Sequence, residues 1–188
     1  MTPILGIMAS GMSGNLWAPG KDFDSIATGT GTGSSGTISF TSIPQTYRHL
    51  QIRWMGRGSS ADNNIDMYCW LNGNTSQANY TKHALRGNGA TATASGSAAS
   101  AQPIMGNPTA ANLNADMMGV GIIDILDYRD TNKYKTQRAI TGEDENGAGN
   151  VWLFSSVFMN SSAVTQIDLQ TQTGNWTTDS TFALYGVK

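Results

Sequence analysis

From residue 37 onward, apolar and polar side chains alternate with a period of two, the spacing that sends successive side chains to opposite faces of a strand. Residues 23–26 and 37–43 read as the first two strands, with a glycine-rich turn over 29–36. In 49–55, Leu50, Ile52 and Trp54 share one face. In 65–71, Ile65, Met67, Cys69 and Leu71 share one face, and Asp66, Tyr68 and Trp70 share the other. Asn72-Gly73 signals a tight turn, and 78–86 reads as the next strand. Residues 117–128 are the most apolar stretch, and their unbroken run predicts burial on both faces. Strands over 135–141, 151–158, 164–170 and 181–187 complete the set.

Residues 87–100 (GNGATATASGSAAS) carry no such pattern and predict a long loop, mobile or covered by a partner. No segment shows a convincing amphipathic helical period. The expected fold is all-β: an antiparallel, jelly-roll-like β-sandwich of about nine to eleven short strands over residues 21–188. Its expected core is Leu50, Ile52, Trp54, Met67, Cys69, Leu71, Ile122, Leu126, Leu153, Ile167, Leu169, Phe182 and Leu184.

The first 20 residues behave differently. Ile4, Leu5, Ile7, Met8, Met12, Leu16 and Trp17 sit among small residues, and no charge precedes Lys21. Gly6 and Gly11 oppose a long helix. This N-terminal stretch, residues 1–20, reads as an anchoring arm with apolar groups that need a cover. The strands that follow look complete without it, which favours a sister copy or a larger particle.

Composition narrows the function classes. Gly, Thr, Ser and Asn make up about two fifths of the 188 residues, only 13% of residues are charged, and the net charge is −2. A basic footprint for nucleic acid is missing. No apolar run approaches the length of a membrane-spanning helix, and the first residues lack the basic and apolar regions of a secretory signal. The expected partners therefore include neither nucleic acid nor membrane. Low charge, with Met55, Tyr68, Trp70 and Tyr185 on second strand faces, predicts surfaces covered by copies, as in a homotrimer.

Candidate chemistry is sparse. Residues 31–36 match G-x-G-x-x-G, but a dinucleotide site needs a helix after the turn to hold the pyrophosphate, and a strand pattern follows instead. Glu143-Asp144-Glu145-Asn146-Gly147 is an acidic turn that reads as a hairpin tip, with a cation site as the sharper alternative. Cys69 is the only cysteine and reads as a core thiol. His49 and His83 have no nucleophile elbow beside them. Asp124 and Asp127 fall in the apolar run and call for partners, with Arg129, Lys133 and Lys135 near in sequence. Three residues apart, the two carboxylates point to opposite faces, which opposes joint acid–base work. No catalytic, metal-binding or cofactor-binding residue is expected. Tyr68, Trp70 and Trp176 are the aromatics placed to form an interface or to stack on a glycan.

Four stretches resemble a family of short virion proteins of tailed bacteriophages. They are Thr2-Pro3-Ile4-Leu5-Gly6-Ile7, Phe40-Thr41-Ser42-Ile43-Pro44 with Tyr47-Arg48-His49-Leu50-Gln51-Ile52-Arg53, Asp124-Ile125-Leu126-Asp127-Tyr128 with Thr131-Asn132-Lys133-Tyr134-Lys135-Thr136, and Phe182-Ala183-Leu184-Tyr185-Gly186-Val187-Lys188. They occur in order along nearly the whole chain. The resemblance implies a non-enzymatic structural protein on the particle exterior, made in the host cytoplasm and assembled with other virion proteins. Capsid decoration or cementing through the N-terminal arm is the first expectation. A tail-fibre or baseplate adhesin for a host receptor or glycan is the second. The resemblance implies no catalytic residues.

Overall fold

The computed structural model describes residues 22–99 and 101–188. The arm, with Ile4, Leu5, Ile7, Met8, Leu16 and Trp17, lies outside the described residues. Among the described residues twelve strands form: β1 Phe23–Thr30, β2 Thr37–Phe40, β3 His49–Gly56, β4 Met67–Leu71, β5 Tyr80–Gly87, β6 Ala92–Ser97, β7 Ile104–Gly106, β8 Gly119–Leu126, β9 Lys135–Asp144, β10 Gly149–Phe158, β11 Ile167–Thr171 and β12 Thr181–Val187. The only helical element among the described residues is a 3-10 turn, Gln77–Asn79. The all-β expectation holds, with one strand more than the upper count. The three-residue β7 and also β6 are the two elements the pattern does not predict, and β6 forms over the expected patternless loop. It pairs with β5 from Lys82↔Ser97 to Gly87↔Ala92, so backbone bonding holds it rather than side-chain burial.

All pairings between these strands are antiparallel; the isolated bridge between Arg57 and Thr109 is parallel. One sheet has the order β1-β12-β3-β8-β9-β10-β5-β6 and the other β2-β11-β4-β7. Eight of these strands pair from the outside inward: β1 with β12, β2 with β11, β3 with β8, and β4 with β7. Successive pairs alternate between the two sheets. This nesting, one long hairpin wrapped into two layers, is a jelly roll. Two hairpins interrupt it, β5–β6 after β4 and β9–β10 after β8. Both join the larger sheet and double its width.

The core lies between the sheets. From the larger sheet come Leu50, Ile52, Trp54, Ile123, Ile125, Phe154, Phe182 and Leu184. Ile38, Phe40, Cys69, Leu71, Ile167 and Leu169 face them from the smaller one. Ten of the thirteen expected core residues are buried. Ile122, Leu126 and Leu153 are not: Ile122 is 38% exposed, Leu153 is 50% exposed, and Leu126 is half-buried. Nor is β8 buried on both faces, since Val120 is 49% exposed. Ile123 and Ile125 take the core face of β8, and Phe154 that of β10. Both faces of these strands are apolar, so alternation alone did not select the inner one.

The connections between β1 and β2, β3 and β4, β7 and β8, and β11 and β12 knit together at one end. Gly33 donates to the Trp176 carbonyl, Trp176 to that of Ser35, Ser59 to that of Asn175 and Gly58 to that of Thr109. The glycine-rich motif serves this closure. A side chain at Gly31 would lie 1.9 Å from the Thr177 carbonyl oxygen, and strand β2 follows the turn rather than a helix. Arg57, buried, donates to the carbonyls of Leu113, Asn114 and Met117 and holds the β7–β8 connection against this end.

Candidate interaction face

The inner face of the larger sheet supplies the core, so its outer face should be polar. Half of it is not. The strand registers align two rows of side chains on this face. One row reads Ala94, Leu85, Leu153, Ile140 and Ile122 across β6, β5, β10, β9 and β8. The next reads Ala92, Gly87, Val151, Gly142, Val120 and, on β3, Met55. Leu85, Ile140, Val151 and Leu153 are each at least half exposed. Directly opposed side chains on one sheet face stand about 5 Å apart, so these rows form one continuous apolar surface. Gly87 leaves a hollow in it, where a Cβ would meet nothing within 4 Å, whereas one at Gly142 would already lie 3.3 Å from the Asn150 carbonyl oxygen. A groove of about 490 Å³ runs between Leu85, Ala94, Ile140, Val151 and Leu153. A second, of about 470 Å³, continues past Val120 and Ile122. Nearly all of this surface lies on the two inserted hairpins and β8.

The next row bounds it with charge. His83, Ser155, Arg138, Asp124 and Gln51 follow in register. Arg138 Nε donates to Asp124 Oδ2 at 3.0 Å and Gln51 Nε2 to Asp124 Oδ1 at 3.0 Å. Arg53 Nε donates to Gln51 Oε1 at 2.9 Å. The Arg53 guanidinium packs on the rings of Tyr185 and Phe23, 4.9 and 5.2 Å from their centroids. The outer face is therefore split into an apolar half and a hydrogen-bonded polar band.

The aromatics expected to face an interface or glycan lie elsewhere. Trp176 is wholly buried under the loop end, with Nε1 donating to the Leu169 carbonyl and its ring edge-on to Phe182. Tyr68 and Trp70 lie on the outer side of the smaller sheet but are 6% and 5% exposed. Trp70 packs edge-on against Tyr80, where the chain crosses to β5, and its Nε1 donates to Gln170 Oε1. None of the three presents a ring to solvent. The large apolar side chains of this sheet most exposed to solvent are the aliphatic Leu85, Ile140, Val151 and Leu153, of which the sequence pattern places Leu153 in the core and the others nowhere in particular. An apolar residue on both faces of one strand was the available signal.

Asp124 and Asp127 separate as expected. Asp124 faces outward to Arg138, a partner not foreseen. Asp127 leaves the strand in a left-handed turn at φ 46°. Its carboxylate takes Lys133 Nζ at 2.6 Å, and its backbone N–H donates to His49 Nδ1 at 2.9 Å, so that nitrogen is an acceptor and not a base poised for a substrate. The hydrogen bond from Lys133 and its charge hold the Asp127 carboxyl below the usual range. Lys135 is buried and makes no ion pair among the described residues; its Nζ donates to the carbonyls of Asp130, Lys133 and Ser161. Arg129 donates to the Gln45 carbonyl. His83 is exposed, its ring lying over Gly96.

The acidic turn is only partly a solvated tip. Glu143 is 7% exposed and accepts from Asn150 Nδ2 and Asn64 Nδ2, and the latter amide also reaches Glu145. Burial pushes its carboxyl up to about 7. Its other oxygen, Oε2, is buried without a hydrogen-bond partner. Among the described residues, no group of three or more His, Cys, Asp or Glu side chains could hold a metal ion. Cys69 is fully buried, which raises its thiol well above the usual range. Comparison with protein-family models, with curated proteins and with solved structures finds no match for the chain.

Proposed function

We propose that the protein is a structural component of a tailed-phage particle, placed on its exterior as a capsid-decorating or cementing subunit. Its apolar arm and the apolar half of its outer sheet would be the surfaces that bind neighbouring virion proteins. The observation that carries this reading is the exposed apolar face on a jelly roll of low charge. A contiguous apolar patch of a few hundred Å² is often a functional surface, and on a chain of such low charge it supports contact with another protein. Jelly rolls recur in viral shells and also in lectins and enzymes, so the architecture is compatible with the reading without selecting it. The resemblance of the four stretches named above points the same way. Burial of Tyr68, Trp70 and Trp176 removes the sequence-level support for a glycan-binding adhesin.

The test is peptide counting by mass spectrometry and immunogold labelling of purified particles from the virus that encodes the chain. Hundreds of copies spread over the head are expected. A few copies confined to the tail would replace decoration with a fibre or baseplate role. Absence from the particle would overturn the proposal.

A further inference from the structure

The apolar half of the outer face has a defined size. It spans five strands and two rows of side chains. At about 4.8 Å between strands and 6.6–7 Å between rows on one face, this is roughly 24 by 15 Å. Its area, about 350 Å², is less than half of the ~800 Å² per partner that a standard stable interface buries. Two such faces pressed together would make a poor dimer. A single extended segment fits better. Twelve residues in strand conformation run to about 40 Å and would lie across all five strands.

The chain holds one segment of matching chemistry. Between Ile4 and Trp17 it carries seven large apolar side chains, Ile4, Leu5, Ile7, Met8, Met12, Leu16 and Trp17, and no charge. Across these five strands the two rows carry no charge; Arg86 lines the rim of the first groove, and the first row meets Arg53 only where it reaches β3. The hollow at Gly87, and the grooves of about 490 and 470 Å³ on this face, would accept Ile, Leu or Met side chains.

The direction in which the chain enters the fold separates its own arm from a neighbour's. β1 begins at Phe23, opposite Val187, and runs toward Thr30, opposite Thr181. Thr181 is in register with Met55 and Val120, in the outermost apolar row. Phe23 is therefore at the far end of the sheet from the apolar half. Residue 22 prolongs the strand away from it, since the Asp22 carbonyl still accepts from the Lys188 N–H. To reach its own apolar half, the arm would have to reverse and recross the band of Arg138, Asp124, Gln51 and Arg53. A neighbouring molecule needs no such reversal.

We infer that residues 4–17 of one copy seat across β8, β9, β10, β5 and β6 of a neighbouring copy, linking copies by arm exchange. This surface and its occupant hold wherever the protein resides, so the inference and the virion reading fail separately.

The experiment uses the full chain. The wild type should associate at micromolar concentration in light scattering or sedimentation. Leu153→Asp on the face, and the triple change Ile4→Ser, Leu5→Ser, Ile7→Ser in the arm, should each abolish association. Circular dichroism should show the strands intact in both, because the altered face residue is half exposed. Mixing the two variants should restore a heterodimer, since one retains an arm and the other a face. An Ile7→Cys chain mixed with a Leu153→Cys chain should give a bis-maleimide cross-link between molecules, Cys69 being buried. A monomeric wild type, or association that survives Leu153→Asp, would overturn the inference. So would a double-cysteine chain that cross-links only within itself.

Discussion

Ile122 and Ile123 are adjacent, chemically identical and placed on opposite faces of β8, so trimming each to alanine measures the difference between the two faces of the larger sheet. Ile123 is fully buried against the smaller sheet, whereas Ile122 is 38% exposed. Ile123→Ala removes three buried carbons, worth roughly 0.8 kcal/mol each by transfer, or about 2.4 kcal/mol together. The cavity left behind adds to this, which brings the expected cost to about 3–4 kcal/mol. For a chain of this length that lowers Tm by about 6–15 °C. In a chain also carrying Ile4→Ser, Leu5→Ser and Ile7→Ser, so that no neighbour's arm covers the face, Ile122→Ala gives up contacts that are already partly wet and leaves no closed cavity, so its cost should stay below about 1 kcal/mol. Urea melts followed by tryptophan fluorescence would read both, with the slope m unchanged if only the native state is affected. Equal costs, or a larger cost for Ile122→Ala, would mean that β8 sits one residue out of the described register. The apolar outer face would then be the core face.

Two further substitutions test buried polar groups. Lys135→Met would leave the carbonyls of Asp130, Lys133 and Ser161 without their shared donor, so a thermal melt should show a loss of at least about 2 kcal/mol; an unchanged Tm would mean the ammonium does not hold that turn. Glu143 binds its proton more tightly folded, near 7, than its ordinary value of 4.5, so its contribution to stability falls as pH rises from 4.5 through 7 and is level above that. Glu143→Gln should remove this decline and gain on the wild type between melts at pH 5 and pH 8, whereas an equal offset at both pH values would refute it.

The sequence was most readable where one strand face was apolar and the other was not. In β3, the alternation of Leu50, Ile52 and Trp54 with Gln51 and Arg53 leaves one choice of inner face, and in β12 Phe182 and Leu184 do the same. In β8 and β10 an apolar residue stands on each face, because the outer face is itself apolar, and the local pattern loses its power to orient the strand. β6 was unreadable for another reason: Ala, Thr, Ser and Gly at a sheet edge bury little, and the backbone bonds to β5 that hold it leave no mark on residue type. Trp176 looked exposed because it follows a turn, but four separate connections close over it, and their meeting depends on topology. The Arg138–Asp124 pair was within reach. Folding residues 117–128 against 135–141 about their common turn sets Asp124 opposite Arg138.

The nesting of the strand pairs also fixes an order in time. β4 and β7 enclose only the β5–β6 hairpin, whereas β1 and β12 enclose everything between them. Among the described residues, β1 has no sheet neighbour except β12, and β3 has β12 on one side. While β12 is still being synthesised, β1 and β3 of an otherwise complete chain each expose an edge that β12 will later cover, the kind that recruits foreign strands. Each outer pair must also close a longer loop than the pair inside it. Such non-local pairing places folding on the millisecond-to-second scale of β-sandwiches rather than the microseconds of helical bundles. Yield during expression should therefore be governed by how quickly β12 slots between its two neighbours, and lower growth temperature or added chaperone should raise soluble protein without altering the stability of the finished fold.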